Sequence, residues 1–138
     1  MHALRAPGIR VVADPAALDA ATWADDGPGR EVFEPLVLRL ASDEAFAIGA
    51  TGVELADPDA IVVAEAGFTA LMFPANEFVA HVVPHIEWPP PRSRPAFAQG
   101  TIGGVPAKLY LDPTGAATVF VLTAYVDDLL TRLEVVPS

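Results

Sequence analysis

Three β-prone runs stand close together in the last third of the chain: AFAQGTI (96–102), PAKLYLD (106–112) and AATVFVLT (116–123). The links between them are too short for anything but tight turns. Asp112-Pro113-Thr114-Gly115 has the residue types that turns demand, and Gly103-Gly104 fills the earlier gap. A parallel pair needs a crossover of a dozen residues or more, so these strands are predicted to be antiparallel neighbours. Thr123 then caps a predicted helix over 124–133. Tyr125, Val126, Leu129, Leu130 and Leu133 fall on one face of that helix, and Asp127, Asp128 and Arg132 fall off it. Asp128 and Arg132 are four apart and suitably placed to pair.

The rest of the chain shows the same alternation of short elements. IRVVA (9–13) is a β-prone run. Asp14-Pro15 reads as a helix start, with an Asp cap and proline at the first helical position, and predicts a helix over 15–24. DDGPGRE (25–31) is a loop by composition. PLVLRLA (35–41) and AFAIGA (45–50) are predicted to form a hairpin. After the turn residues Asp57-Pro58-Asp59, IVVAE (61–65) and FTALMF (68–73) flank Ala66-Gly67, a short hairpin signature. ANEFVAHVV (75–83) has helical period, with Phe78, Val79, Val82 and Val83 on one face. Pro84 is expected to stop that helix at Val83, because the residue before a proline avoids the α region. Strands with scattered helices and short links predict a single α+β domain over residues 1–138. Its sheet is mostly antiparallel, with five to eight strands and two or three covering helices.

Composition closes several functional classes. The chain has 138 residues and is 52% hydrophobic, enough to bury a core and too apolar for disorder to dominate. It has no cysteine, which excludes disulfides, thiolate metal sites and thiol nucleophiles. Its formal charge is −10, a field that repels polyphosphate, so nucleic acid is not an expected partner. No apolar run approaches the ~20 residues that span a bilayer. MHALRAPGIR lacks the continuous apolar centre of a secretory signal, so a cytoplasmic location is expected.

Chemically able residues concentrate in HVVPHIEWPPPRSRP (81–95). Two histidines and a carboxylate can make a facial metal triad, which nominates His81, His85 and Glu87 as metal ligands. Pro84 counts against them, since an interrupted helix denies the two imidazoles a shared face. The simpler account sets His81 beside Glu77 and puts His85 in a loop. Trp88-Pro89-Pro90-Pro91 is a stiff, polyproline-like stretch. It serves either as a connector or as an interface that docks a partner. Arg92, Arg94 and Lys108 are candidates for an anion-binding group if the strands at 96–102 and 106–112 are neighbours. Charge balancing of nearby acids is the plainer role for them. Gly100-Thr101-Ile102-Gly103-Gly104 lacks the spacing of a phosphate-cradling loop and is better read as a hairpin turn. Asp25-Asp26 and Asp127-Asp128 are placed in loop or helix surface and are not read as catalytic. No nucleophile–base–orienter set can be built, so no catalytic residue is nominated.

PAFAQGTIGGVPAKLYL (95–111) followed by ATVFVLTAYVDDLLTRL (117–133) resembles the C-terminal half of the small gamma subunit of heterotetrameric sarcosine oxidase. SDEAFAIGA (42–50) is similar to that family's Asp-Glu-plus-apolar strand. The likeness covers about half the chain, while 51–80 and 88–95 depart from the family pattern. It implies a fold akin to folate-binding aminomethyltransferase domains and a non-catalytic role as a small subunit, with no catalytic residue to carry over.

The expected function is therefore a non-enzymatic module, without cofactor, that associates with itself or with a larger, flavin-dependent amine-oxidising enzyme. The apolar strand residues exceed what one buried face needs, and such an excess marks interfaces. The alternative is a small-ligand-binding or metal-dependent enzyme built on His81, His85, Glu87 and the Arg92/Arg94/Lys108 group.

Overall fold

The computed structural model describes residues 1–24 and 33–137. The loop expected at 25–31, with Asp25 and Asp26, lies outside the described residues. In chain order the first strands are β1 (His2–Arg5), β2 (Gly8–Val12), β3 (Thr22–Ala24), β4 (Leu36–Ala41), β5 (Glu44–Ile48) and β6 (Gly52–Glu54). They are followed by β7 (Ile61–Glu65), β8 (Phe68–Phe73), β9 (Ala96–Ile102), β10 (Val105–Leu111) and β11 (Ala117–Leu122). Helices are α1 (Pro15–Asp19), α2 (Ala75–Glu77) and α3 (Val126–Leu133). The class is α+β with antiparallel pairing throughout, as the sequence predicts. The strands, expected in one sheet, are shared among three. No helix among the described residues is long and apolar enough to cross a membrane.

The chain forms two compact units. The first holds residues 1–5 and 68–138. Its five-stranded sheet has the order β1-β8-β11-β10-β9. Tight turns fix the β11-β10-β9 part of this order. Gly103 and Gly104 have φ of +57° and +78°, the left-handed pair that a two-residue hairpin demands. Asp112 accepts from the Thr114 backbone N–H at 2.8 Å and closes the other turn. One face of the sheet, with Leu71, Phe73, Leu109, Leu111, Val119 and Val121, is buried under α3 and the helical run that starts at α2. Leu129, Leu130 and Leu133 are the buried face of α3, each stabilising by about 1.5–3 kcal/mol when fully withdrawn from water.

Two helical expectations are corrected. Pro84 does not stop the helix at Val83: the run from α2 passes through a π turn (Phe78–Val82) into a 3-10 turn (Val83–His85), and Val83 is α-helical at φ −52°, ψ −42°. The Val83 N–H bonds the Phe78 carbonyl five residues back, so the turn is widened where the proline ring would otherwise meet the carbonyl four residues before it. The same widening shifts the apolar face. Phe78 and Val82 are buried, but Val79 is 63% exposed. At the other helix, Thr123 does not cap. Its hydroxyl shares a 2.8 Å hydrogen bond with Thr69, and a 3-10 turn (Thr123–Tyr125) leads into α3. Tyr125, expected on the buried face, is consequently exposed.

The second unit holds residues 6–67. A four-stranded sheet of order β4-β5-β2-β7 is joined by the small ladder β3-β6. The β4–β5 hairpin forms as predicted, with a bulge between Arg39 and Ala41. Asp14 caps α1 by accepting from the Ala17 N–H at 3.4 Å, yet the helix ends at Asp19 rather than 24. The reason is long-range: Thr22-Trp23-Ala24 pairs with residues 52–54 as β3. Ile9, Val11, Leu18, Ala45 and Ala47 form the core of this unit. Gly8 is required here, since a Cβ on it would lie 2.2 Å from the Ala47 carbonyl oxygen. β2 lies between β5 and β7, and β7 is at the sheet's edge.

The hairpin expected between 61–65 and 68–73 is not formed. Both segments are strands, but β7 pairs with β2 and β8 pairs with β1 and β11. β8 buries Thr69, Ala70, Leu71 and Phe73, as a central strand does, whereas β7 is exposed along nearly its whole length.

Candidate functional site

The segment richest in reactive side chains proves to be a strap along the edge of the first unit's sheet. Ile86 forms a bridge with Ile102 at the end of β9, and the Gly103 N–H donates to the His85 carbonyl at 3.0 Å. The Trp88 indole N–H donates to the Thr101 carbonyl at 2.9 Å. Its ring lies against Gly100, so close that a Cβ there would stand 2.5 Å from the indole nitrogen. Glycine at position 100 is what admits the ring. Of the four residues nominated as an interface, Trp88 packs against the buried core of its own chain, and Pro89, Pro90 and Pro91 follow it as partly exposed chain.

The metal triad does not assemble. Among the described residues no three His, Cys, Asp or Glu side chains come together in a metal-holding group, so His81, His85 and Glu87 are not gathered on one centre. Glu77, expected beside His81, instead accepts from the Met1 ammonium at 2.6 Å. The cations also part company. Strands β9 and β10 are neighbours, as the anion site required, and Lys108 stands opposite Gln99. Arg94, however, is turned to the far end of the pair, donating to the Asp112 and Ala116 carbonyls at 3.3 Å each. Lys108 lies three residues short of Leu111, roughly 10 Å back along the strand. Its ammonium donates to Gln99 Oε1 at 3.1 Å and sits 5.4 Å above the Phe68 ring. Phe68, Pro106 and Leu122 complete a groove of about 320 Å³ around that ammonium. Arg92 is exposed and does not line it.

The second unit carries a different kind of site. β7 is one of the two outer strands of its sheet, and β2 is its one strand neighbour among the described residues. Ile61, Val62 and Val63 are 60%, 45% and 50% exposed. Successive strand residues point to opposite faces, so this strand is apolar and open to water on both sides. An exposed apolar edge is a template for another strand, and most proteins blunt such edges with charge, proline or a bulge. Here the strand's one charge is Glu65 at its end. Arg10 lies between Glu44 at 2.7 Å and Glu65 at 3.9 Å, one cation for two carboxylates. Two hydrogen bonds to Asp57 hold the turn leading into β7. Asp57 accepts from the Asp59 N–H at 2.9 Å and from the Asp14 N–H at 2.8 Å.

Sequence reasoning noticed surplus apolar strand surface but did not locate it. The available signal was Ile61-Val62-Val63, three β-branched residues in succession with no charge or proline among them. The chain matches no family model, no curated protein and no solved structure.

Proposed function

We propose that this protein is a non-catalytic module that works by associating with a protein partner, and that β7 is where it does so. The observation that carries this reading is the open apolar edge at Ile61-Val62-Val63. Strand addition there supplies backbone hydrogen bonds for affinity and side-chain pockets for specificity. The resemblance to the gamma subunit of sarcosine oxidase supports the same reading, with a larger flavin-dependent amine-oxidising enzyme as the partner. The test compares the protein with its Ile61→Lys variant in light scattering and in co-purification with the product of any neighbouring oxidase gene. Association that the lysine abolishes supports the reading. A strict monomer that binds no such partner, or binding indifferent to Ile61→Lys, counts against it.

A second reading rests on the groove at Lys108. One ammonium set among Phe68, Pro106 and Leu122 suits a small anion with an apolar body. A thermal-shift series with phosphate, benzoate and folate addresses it, because a ligand that prefers the native state raises the melting temperature. The gain must disappear in Lys108→Met.

A further inference from the structure

The charges around β7 say what kind of strand it accepts. Glu65 stands at one end of the strand, and the turn holding Asp57 and Asp59 stands at the other. Between them lie apolar side chains on both faces. Pairing β7 with a second copy of itself is poorly served by this layout. Centred on Val62, antiparallel self-pairing sets Glu65 opposite Asp59 of the other copy, twice by symmetry. Centred on Val63, it sets the same two carboxylates on a cross-strand diagonal, still within reach of each other. Arg10 cannot relieve this, being already shared by Glu44 and Glu65. Each copy also brings a formal charge of −10.

We infer that β7 accepts an extended segment of another protein that is apolar in its middle and basic at both ends. This deepens the association reading and rests on it. In an antiparallel pairing, one Lys or Arg of the partner stands across from Glu65, and another, past four apolar or neutral residues and one more, reaches the Asp57–Asp59 turn. Opposite charges directly across a ladder stabilise it, and like charges oppose it.

The test uses two fluorescent probe peptides added to the full chain, Lys-Val-Ile-Val-Val-Thr-Lys and its counterpart with Glu at both ends, read by anisotropy. The expected result is that the Lys-ended peptide binds at least fivefold more tightly at low salt, a preference that fades as salt screens the charges. Glu65→Lys should nearly erase the preference, because each peptide then meets one like and one opposite charge, and Glu65→Gln, which keeps the shape of the side chain, should narrow the gap by less. Ile61→Lys should weaken both. Equal binding of the two peptides, binding of neither, or a preference untouched by both Glu65 variants overturns the inference. The underlying association reading fails separately. If the chain self-associates and Ile61→Lys abolishes this, β7 is an association edge whose occupant is a second copy. A monomer that takes neither peptide and co-purifies with no oxidase partner sinks both.

Discussion

Two edge strands of this protein meet opposite treatment. At β9 the outer edge is fastened down: a backbone bridge at Ile86, an indole hydrogen bond from Trp88 and a ring seated on Gly100 cover successive positions. At β7, in the other unit, three β-branched side chains are left 45–60% exposed with no strand beyond them among the described residues. The lesson reverses what composition suggests. The segment dense in histidine, arginine, tryptophan and proline serves the fold, while a chemically plain run of aliphatic residues is the candidate for function. A protein that seals one edge with so much material has the means to seal edges, which gives the open one its interest.

Substitutions can break this contrast. The largest expected effect is Trp88→Ala, which removes a packed ring and its hydrogen bond and should cost about 2–3 kcal/mol in urea unfolding. Gly100→Ala comes next. Its Cβ would lie 2.7 Å from the indole Cε2, and displacing the ring should cost about 1–3 kcal/mol. Ile61→Lys should change stability by no more than about 0.5 kcal/mol while abolishing association, since the side chain it replaces is 60% exposed. If Ile61→Lys destabilises as strongly as Trp88→Ala, β7 is a structural strand and the contrast is lost. The smallest effect is expected from His85→Ala. The backbone carbonyl that anchors the strap is retained, so the change should stay within about 0.5 kcal/mol, and dialysis against EDTA should leave the melting temperature of the wild-type protein unmoved.

Much of the first unit is legible in the sequence because its pairings are local. β9, β10 and β11 follow one another through two tight turns, and α3 shows its Leu129-Leu130-Leu133 face without help from elsewhere. The pairings that stay hidden are distant ones. β1 has four residues and no internal pattern, and it becomes a strand only by lying against β8. β3 and β6, three residues each, create one another. Ala66-Gly67 promised a hairpin on local turn chemistry, but the burial of β8 as a central strand outweighed that signal. At Pro84 a rule about the preceding residue gave way to a π turn, which no periodicity in 75–83 announces. The candidate site was half visible for the same reason. Ile61-Val62-Val63 is plainly a strand, but whether a strand is central or at an edge depends on its partners, and those lie fifty residues away in β2.

Amide hydrogen exchange over residues 61–65 tests the central claim most directly. In the dilute, isolated chain, the β7 amides that point away from β2 should exchange at nearly the rate of an unfolded peptide, while those of β10 are strongly protected. Addition of the Lys-ended peptide should then slow the outward β7 amides and leave β10 unchanged. Full protection of all β7 amides in the chain alone would mean that this edge is already covered, and would contradict the account.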